Sequence, residues 1–153
     1  MQELRHRLPL DLMVMIGSGL VIASVLLSSG AANLISLVIM QVFGQWGVFG
    51  AFVGVYLLTL VMTESVTNNA AAALAFPVTI ATAQGLDVSV LPFVLAVAYG
   101  ASASFLTPFG YQTNLMVYAP GQYRFMDYVR MGLPVSLVYS VTVLVLTPLF
   151  FPF

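Results

Sequence analysis

The sequence predicts an all-α integral membrane protein, built as one inverted repeat with an interfacial helix, a re-entrant helical hairpin and a discontinuous transmembrane helix. Three observations predict it. The first is composition: 61% of the 153 residues are hydrophobic and 6% are charged, against about 25% charged in a soluble domain, and the mean hydropathy is +1.05. The second is where the charges sit. Glu3, Arg5, Arg7, Asp11, Glu64, Asp87, Arg124, Asp127 and Arg130 leave charge-free runs 12–63, 65–86, 88–123 and 131–153, room for several crossings of about 20 apolar residues each. The third is a pair of polar interruptions in otherwise apolar sequence, Thr63-Glu64-Ser65-Val66-Thr67-Asn68-Asn69 and Thr107-Pro108-Phe109-Gly110-Tyr111-Gln112-Thr113-Asn114. The bilayer interior offers no water, so polar groups that persist there face protein, an ion, a substrate or a watery cavity.

Other classes are set aside on the same numbers. A net charge of −1 gives no basic face for nucleic acid, and the absence of cysteine removes disulfides and thiolate metal sites. No convincing cleavage site follows the first apolar run, so a signal peptide is not expected. No His cluster, Gly-x-Ser-x-Gly elbow or acidic pair supports an enzyme. Four or five passages exhaust a chain of this size, whereas carriers are commonly two inverted repeats with the site between them. One repeat fits here.

Residues 1–9 form a short polar lead in which His6 reads as a solvated interfacial residue. Residues 10–29 are the first transmembrane helix, with Gly17-Ser18-Gly19 letting a neighbour approach closely; no Walker lysine follows, which excludes a phosphate loop. Ser28-Ser29-Gly30 breaks it. Residues 31–43 place Leu34, Ile35, Val38, Ile39 and Val42 at helical spacing, a pattern too short to cross and suited to lying at the interface. Gly44-Gln45-Trp46-Gly47 then turns the chain, with Trp46 at headgroup level.

Residues 46–86 read as the re-entrant hairpin. Its apolar arms, Val48 to Met62 and Ala70 to Thr82 with Pro77 inside, span roughly 20–25 Å, short of a hydrocarbon core of about 30 Å. Two full spans joined by a surface loop are the competing reading. Residues 88–119 are the broken transmembrane helix: Val88 to Leu106 is helical, and Pro108 and Gly110 mark unwinding over 107–114. Ala119 to Arg130 is an amphipathic surface loop, and residues 128–150 contain the last transmembrane helix. With residues 31–43 lying flat, Arg5, Arg7, Arg124 and Arg130 share one side, so the positive-inside rule makes the N-terminus cytoplasmic.

The two polar stretches can meet if the hairpin tip packs beside the broken span. Helix ends at such breaks offer N–H groups to an anion and carbonyls to a cation. Thr67, Asn68, Asn69, Thr113 and Asn114 can hydrogen-bond a carboxylate or sulfate, and hard oxygen donors suit a sodium-like ion rather than zinc. Glu64 has two readings: a carboxylate active in a transport cycle, or a structural one accepting N–H bonds from the unwound loop. The structural reading is favoured by its position at the edge of the stretch.

Thr63-Glu64 with Val66-Thr67-Asn68-Asn69-Ala70-Ala71-Ala72-Ala73 and Pro77 resembles the Ser-Asn-Thr signature loop of the divalent anion/sodium symporters, the sodium-coupled sulfate and dicarboxylate carriers of the ion transporter superfamily. Ser104 to Asn114, followed by Tyr118-Ala119-Pro120-Gly121 and Val129 to Pro134, is similar to that family's second broken helix and the start of its last helix. The resemblance covers nearly the whole chain, but only the second of the family's two repeats. It implies a sodium ion held by carbonyls near Thr63, Val66, Gly110 and Gln112 together with Asn68, and no organic cofactor. It implies an anion facing Thr67, Asn68 and Asn69, with Tyr111 and Thr113 near it. Further implications are sodium-coupled symport of sulfate or a dicarboxylate by alternating access, an N-terminal repeat or second chain that completes the site, and a homodimer of the complete carrier in the plasma (inner) membrane. The signature reads Thr-Asn-Asn here, and Gln112-Thr113 stands where the family has Pro-Pro. The 107–121 stretch is closer to the sulfate-type members than to the dicarboxylate carriers. The alternative from another class is a non-transporting membrane scaffold or assembly subunit whose polar stretches join helices together.

Overall fold

The computed structural model describes residues 10–153, and every regular element among them is helical. In chain order these are α1 (Leu10–Ser28), α2 (Ala31–Phe43), a 3-10 turn (Gly44–Trp46), α3 (Gly47–Ser65), α4 (Asn68–Gly85), α5 (Val90–Ala101), α6 (Gln112–Tyr118) and α7 (Phe125–Phe150). Arg5, His6 and Arg7, on which part of the topology and one ligand question rested, lie outside the described residues.

Helices α3, α4 and α5 form the centre; α1 and α2 pack on α4, α2 also on α3, and α7 rests against α5. Ala31–Ser65 and Phe125–Phe150 are each long and apolar enough to cross a membrane. The first of these is not one straight rod. A straight helix would separate Ile39 from Gly54 by about 22 Å, yet a Cβ on Gly54 would lie 2.6 Å from Ile39 Cγ2. The 3-10 turn and Gly47, at φ +64° where an L side chain is strained, fold α2 back along the start of α3.

The core is Phe52, Val55 and Tyr56 of α3, Ala75 and Val78 of α4, and Phe93, Ala96 and Val97 of α5. Buried Thr59, Thr79 and Thr82 return their hydroxyls to carbonyls four residues back, at 2.8 to 3.0 Å, so threonine enters this core without an orphan donor. The Thr82 hydroxyl also lies in hydrogen-bond contact with the Ser36 hydroxyl of α2 at 3.0 Å. That bond reveals how α2 packs. Its buried face is Ala32, Ser36 and Ile39, while Leu34, Val38 and Val42 of the apolar stripe face outward. In a bilayer this costs nothing, because lipid accepts leucine and valine as readily as protein does. On α1, the Gly-Ser-Gly stretch does what small residues do at helix contacts: a Cβ on Gly19 would lie 3.1 Å from Ala73 Cβ of α4.

Three sequence expectations shift. The tip of the α3–α4 pair is not a seven-residue loop, since only Val66 and Thr67 are outside helix. The arms are therefore 19 and 18 residues, about 27–28 Å at 1.5 Å per residue, and their length no longer distinguishes a re-entrant hairpin from two spans. Pro77 is accommodated inside α4. Helix α5 ends at Ala101, not Leu106, and Gln112 to Asn114 are already the first turn of α6. Finally α7 starts at Phe125, within the stretch expected to be a surface loop, because the Asp127 carboxylate accepts the Arg124 N–H at 2.8 Å and closes the first turn.

Candidate functional site

The last turn of α3 meets the break that follows α5, and hydrogen bonding explains why the break lies where it does. Were α5 to continue, the amides of Phe105, Leu106 and Thr107 would donate to carbonyls four residues back. They donate instead to Glu64: Phe105 and Leu106 to Oε1 at 2.9 and 2.8 Å, Thr107 to Oε2 at 2.8 Å, with the Phe105 amide shared with the Ala103 carbonyl at 3.1 Å. The Ala101 carbonyl, left without its helical partner, accepts the Thr63 hydroxyl at 2.7 Å. Thr107 then donates its own hydroxyl to the Glu64 carbonyl at 3.0 Å. Pro108 has no amide to offer. Four of the backbone groups freed by the break are satisfied by side chains 38 to 43 residues away.

From the other side the Asn114 amide donates to the carbonyls of Ser104 (3.1 Å) and Thr107 (3.4 Å), and Tyr128 of α7 donates its hydroxyl to the Asn114 carbonyl at 2.9 Å. Helix α7 presses on the loop at Gly132, where a Cβ would overlap the Phe105 carbonyl. Gly110 closes the loop against α3, and a Cβ there would overlap both the Ser104 hydroxyl and the Thr63 carbonyl. Ser104 Oγ is buried and has no hydrogen-bond partner. Two oxygens, one of them an orphan, therefore converge beside Gly110 in a place where a buried hydroxyl is normally satisfied.

At the tip, Thr67 caps α4: its hydroxyl accepts the Ala70 N–H at 3.4 Å and its carbonyl the Ala71 N–H at 2.9 Å. Asn68 Oδ1 accepts the Asn69 N–H at 2.8 Å. Thr67 and Asn69 line a cavity of about 120 Å³ whose opposite wall is Ser18, Gly19 and Ile22 of α1. Val66 is extended and exposed.

The whole of residues 2–153 matches the family model described as citrate transporter. The chain belongs to the citrate transporter family. Relatives include an uncharacterized transporter of Synechocystis sp., 46% identical over 83 residues (54% of this chain, 14% of that protein). Sodium/sulfate cotransporters 2 and 1 of Chlamydomonas reinhardtii are 39% and 38% identical over 84 and 91 residues, 55% and 60% of this chain and 10% of each of those proteins. A further Chlamydomonas relative aligns with 97% of this chain, and the alignment covers 26% of its own length. The chain thus spans well under two thirds of the relatives it matches. That Chlamydomonas protein is named a putative sulfur deprivation response regulator; the other three are named as transporters, not enzymes, and agree with the divalent anion/sodium symporter resemblance.

Within this citrate transporter family chain the expected site residues fall into three groups. Thr63 and Gly110 are brought together, with Glu64 and Thr107 bracing them. Thr67, Asn68 and Asn69 stand at the start of α4, and Tyr111, Gln112 and Thr113 are exposed on the opening of α6. Asn114, expected beside the substrate, gives its amide nitrogen to the loop's own carbonyls, those of Ser104 and Thr107. Ser104, whose buried hydroxyl has no partner, was not among the expected site residues. Its one signal in the sequence was a pair of small hydroxyl residues, Ser102 and Ser104, shortly before Thr107-Pro108. The converging oxygens are neutral and hard, and among the described residues no three His, Cys, Asp or Glu side chains form a metal cluster. The donors present suit an alkali-type cation better than a transition metal.

Proposed function

We propose that this chain is the C-terminal inverted repeat of a sodium-coupled divalent anion carrier working by alternating access. The observation that carries the reading is the convergence beside Gly110 of the Thr63 carbonyl and the orphan Ser104 hydroxyl. Sodium would be held there by oxygens, with the carbonyls of Val66, Gly110 and Gln112 and the Asn68 amide completing the set. Bound sodium would supply positive charge to a doubly charged anion where, among the described residues, Arg124 and Arg130 are the only cationic side chains and both are exposed.

The chain's own residues do the rest. Thr67, Asn68 and Asn69 open α4, so the anion would meet hydroxyl and amide donors together with the positive end of an 18-residue helix. Tyr111 and Thr113 open α6 and would border it from the other side. Sulfate is favoured among the anions because two relatives are named as sodium/sulfate cotransporters, and citrate, given the family description, is the competitor. Residues 46–86 act as a re-entrant hairpin: the tip docks on a break in the middle of the 88–119 segment rather than on a helix end at the membrane surface. The flat α2 and the α1 span support it, and an N-terminal repeat or second chain completes the site within a homodimer in the plasma (inner) membrane, N-terminus cytoplasmic.

Thermal unfolding in detergent tests this, on the chain alone and co-expressed with a first repeat. Sodium should raise the melting temperature where equimolar potassium does not, by the equivalent of about 2.7 kcal/mol at a hundredfold excess over the dissociation constant. Sulfate should add to it only with sodium present, and Asn68→Leu should abolish both. No sodium response in either preparation would overturn the reading.

A further inference from the structure

Glu64 is ionisable, sits at the junction of the two polar stretches, and contributes neither of the oxygens that converge beside Gly110. Both of its carboxylate oxygens face the other way, occupied by the amides of Phe105, Leu106 and Thr107. Those are the residues immediately after Ser104. Residue 104 is thus bracketed: Thr63 ties down the Ala101 carbonyl before it, and Glu64 ties down three successive amides after it. Asn114 holds the carbonyl of residue 104 itself. A serine side chain on an unwound loop would ordinarily rotate or move to find a partner. Here the backbone on either side is fixed, and the hydroxyl remains buried and unpaired next to the Thr63 carbonyl.

Resting on the sodium reading above, we infer that Glu64 is a positioning residue for cation binding: its carboxylate splints residues 105–107 and thereby aims the Ser104 hydroxyl at the cation, while touching neither cation nor anion. Three features of the carboxylate are needed. It must be acceptor-only, because three donors point at it. It must be long enough to reach three consecutive amides from the end of α3. Its charge must survive, since charge-assisted bonds to backbone N–H groups hold the loop more tightly than neutral ones and leave a negative charge behind the loop that favours a cation in front of it. Glutamine fails the first and third requirements and aspartate the second. Glu64 and Ser104 act as one unit, so their effects on the cation should not add.

The experiment is a double-mutant cycle of Glu64→Gln and Ser104→Ala, with Glu64→Asp alongside, in the protein purified under the conditions that give the wild-type sodium response. Two quantities are read: the sodium concentration giving half-maximal thermal stabilisation, and amide hydrogen exchange at residues 105–107 in sodium-free buffer. Each single variant should raise the sodium midpoint about tenfold, and the double variant should be no worse than the weaker single within about threefold. Exchange at 105–107 should accelerate in Glu64→Gln and Glu64→Asp but not in Ser104→Ala. Tyr56→Phe, which removes a bond far from the junction, controls for general loss of stability and should leave the midpoint unchanged. A Glu64→Gln protein that melts lower yet keeps the wild-type midpoint overturns the inference, leaving Glu64 a structural residue only; so does a fully additive cycle. Absence of any sodium response in wild type sinks the cation site and this inference together, which distinguishes the two failures.

Discussion

The central helices α3 and α5 run side by side, and their two ends are held by different physics. At the start of both, Phe52 meets Phe93 and Phe153 edge to face and Phe93 meets Phe153 at a tilt, ring centroids 5.5 to 6.0 Å apart. Nothing polar is involved. At the other end the same helices are joined by Thr63 and Glu64, which donate to or accept from residues 101, 105, 106 and 107. The apolar end needs only shape, and many side chains of similar volume would satisfy it. The polar end depends on specific partners, because a buried donor or acceptor left unmatched carries its full desolvation cost. One end can therefore serve as an anchor while the other, whose hydrogen bonds can be exchanged for ligand contacts, is where a site can be built.

The strongest test of that division is Phe52→Ala. It should lower stability by about 3 kcal/mol through the cavity it leaves, measured by equilibrium unfolding in mixed detergent, while the sodium midpoint stays at the wild-type value. A shifted midpoint would mean the two ends are mechanically coupled and would break the comparison. Thr63→Val at the polar end should do the opposite. Its stability loss should be smaller, about 1 kcal/mol, in line with interhelical hydrogen bonds in membranes, but the sodium response should weaken because the Ala101 carbonyl and the loop behind it are released. Smallest of all should be Tyr56→Phe, midway between the ends, which removes a 2.9 Å bond to Ser140 of α7. About 0.6 kcal/mol and an unchanged midpoint are expected there, and a larger cost would show that α7 is held by that bond more than by packing.

Helix α7 sharpens the contrast from outside. Its face carrying Leu137, Val138, Val141, Val145 and Leu149 is exposed, and it reaches the rest of the protein through the Ser140 bond, a Tyr139 hydroxyl donated to the Tyr99 carbonyl at 3.2 Å, and Phe105 against Tyr139 at 5.4 Å. The last of these touches the loop. Together with Gly132 and Tyr128, it makes α7 the outer wall of the junction as well as the last helix.

Much of this was legible in the chain before any coordinates. Composition and charge spacing made the protein a membrane one, Gly30 and the Gly44–Gly47 stretch marked the turns, and the two polar stretches were singled out together. What eluded sequence reasoning is specific. Which side of α2 packs on the protein was open: Ala32, Ser36 and Ile39 do, while Leu34 and Val38 face outward, an arrangement a bilayer does not penalise. That Asn114 is tied to the loop's carbonyls while the Ser104 hydroxyl is left buried and unpaired was not legible either, because an amide at the start of a helix and a serine just past the end of another look equally available until their neighbours are placed.

The amino-acid sequence by itself determined that the chain belongs in a bilayer, that it is helical, and that residues 63–69 and 107–114 interrupt its apolar runs, because those properties are sums over local composition. Only the tertiary structure decided where α5 stops, which oxygens converge beside Gly110, and that the amides on which Glu64 is spent are those of residues 105–107. Those depend on hydrogen-bond partners some 40 residues apart in the chain, and a backbone amide goes to the acceptor nearest in space, a distance that exists only once the helices have packed.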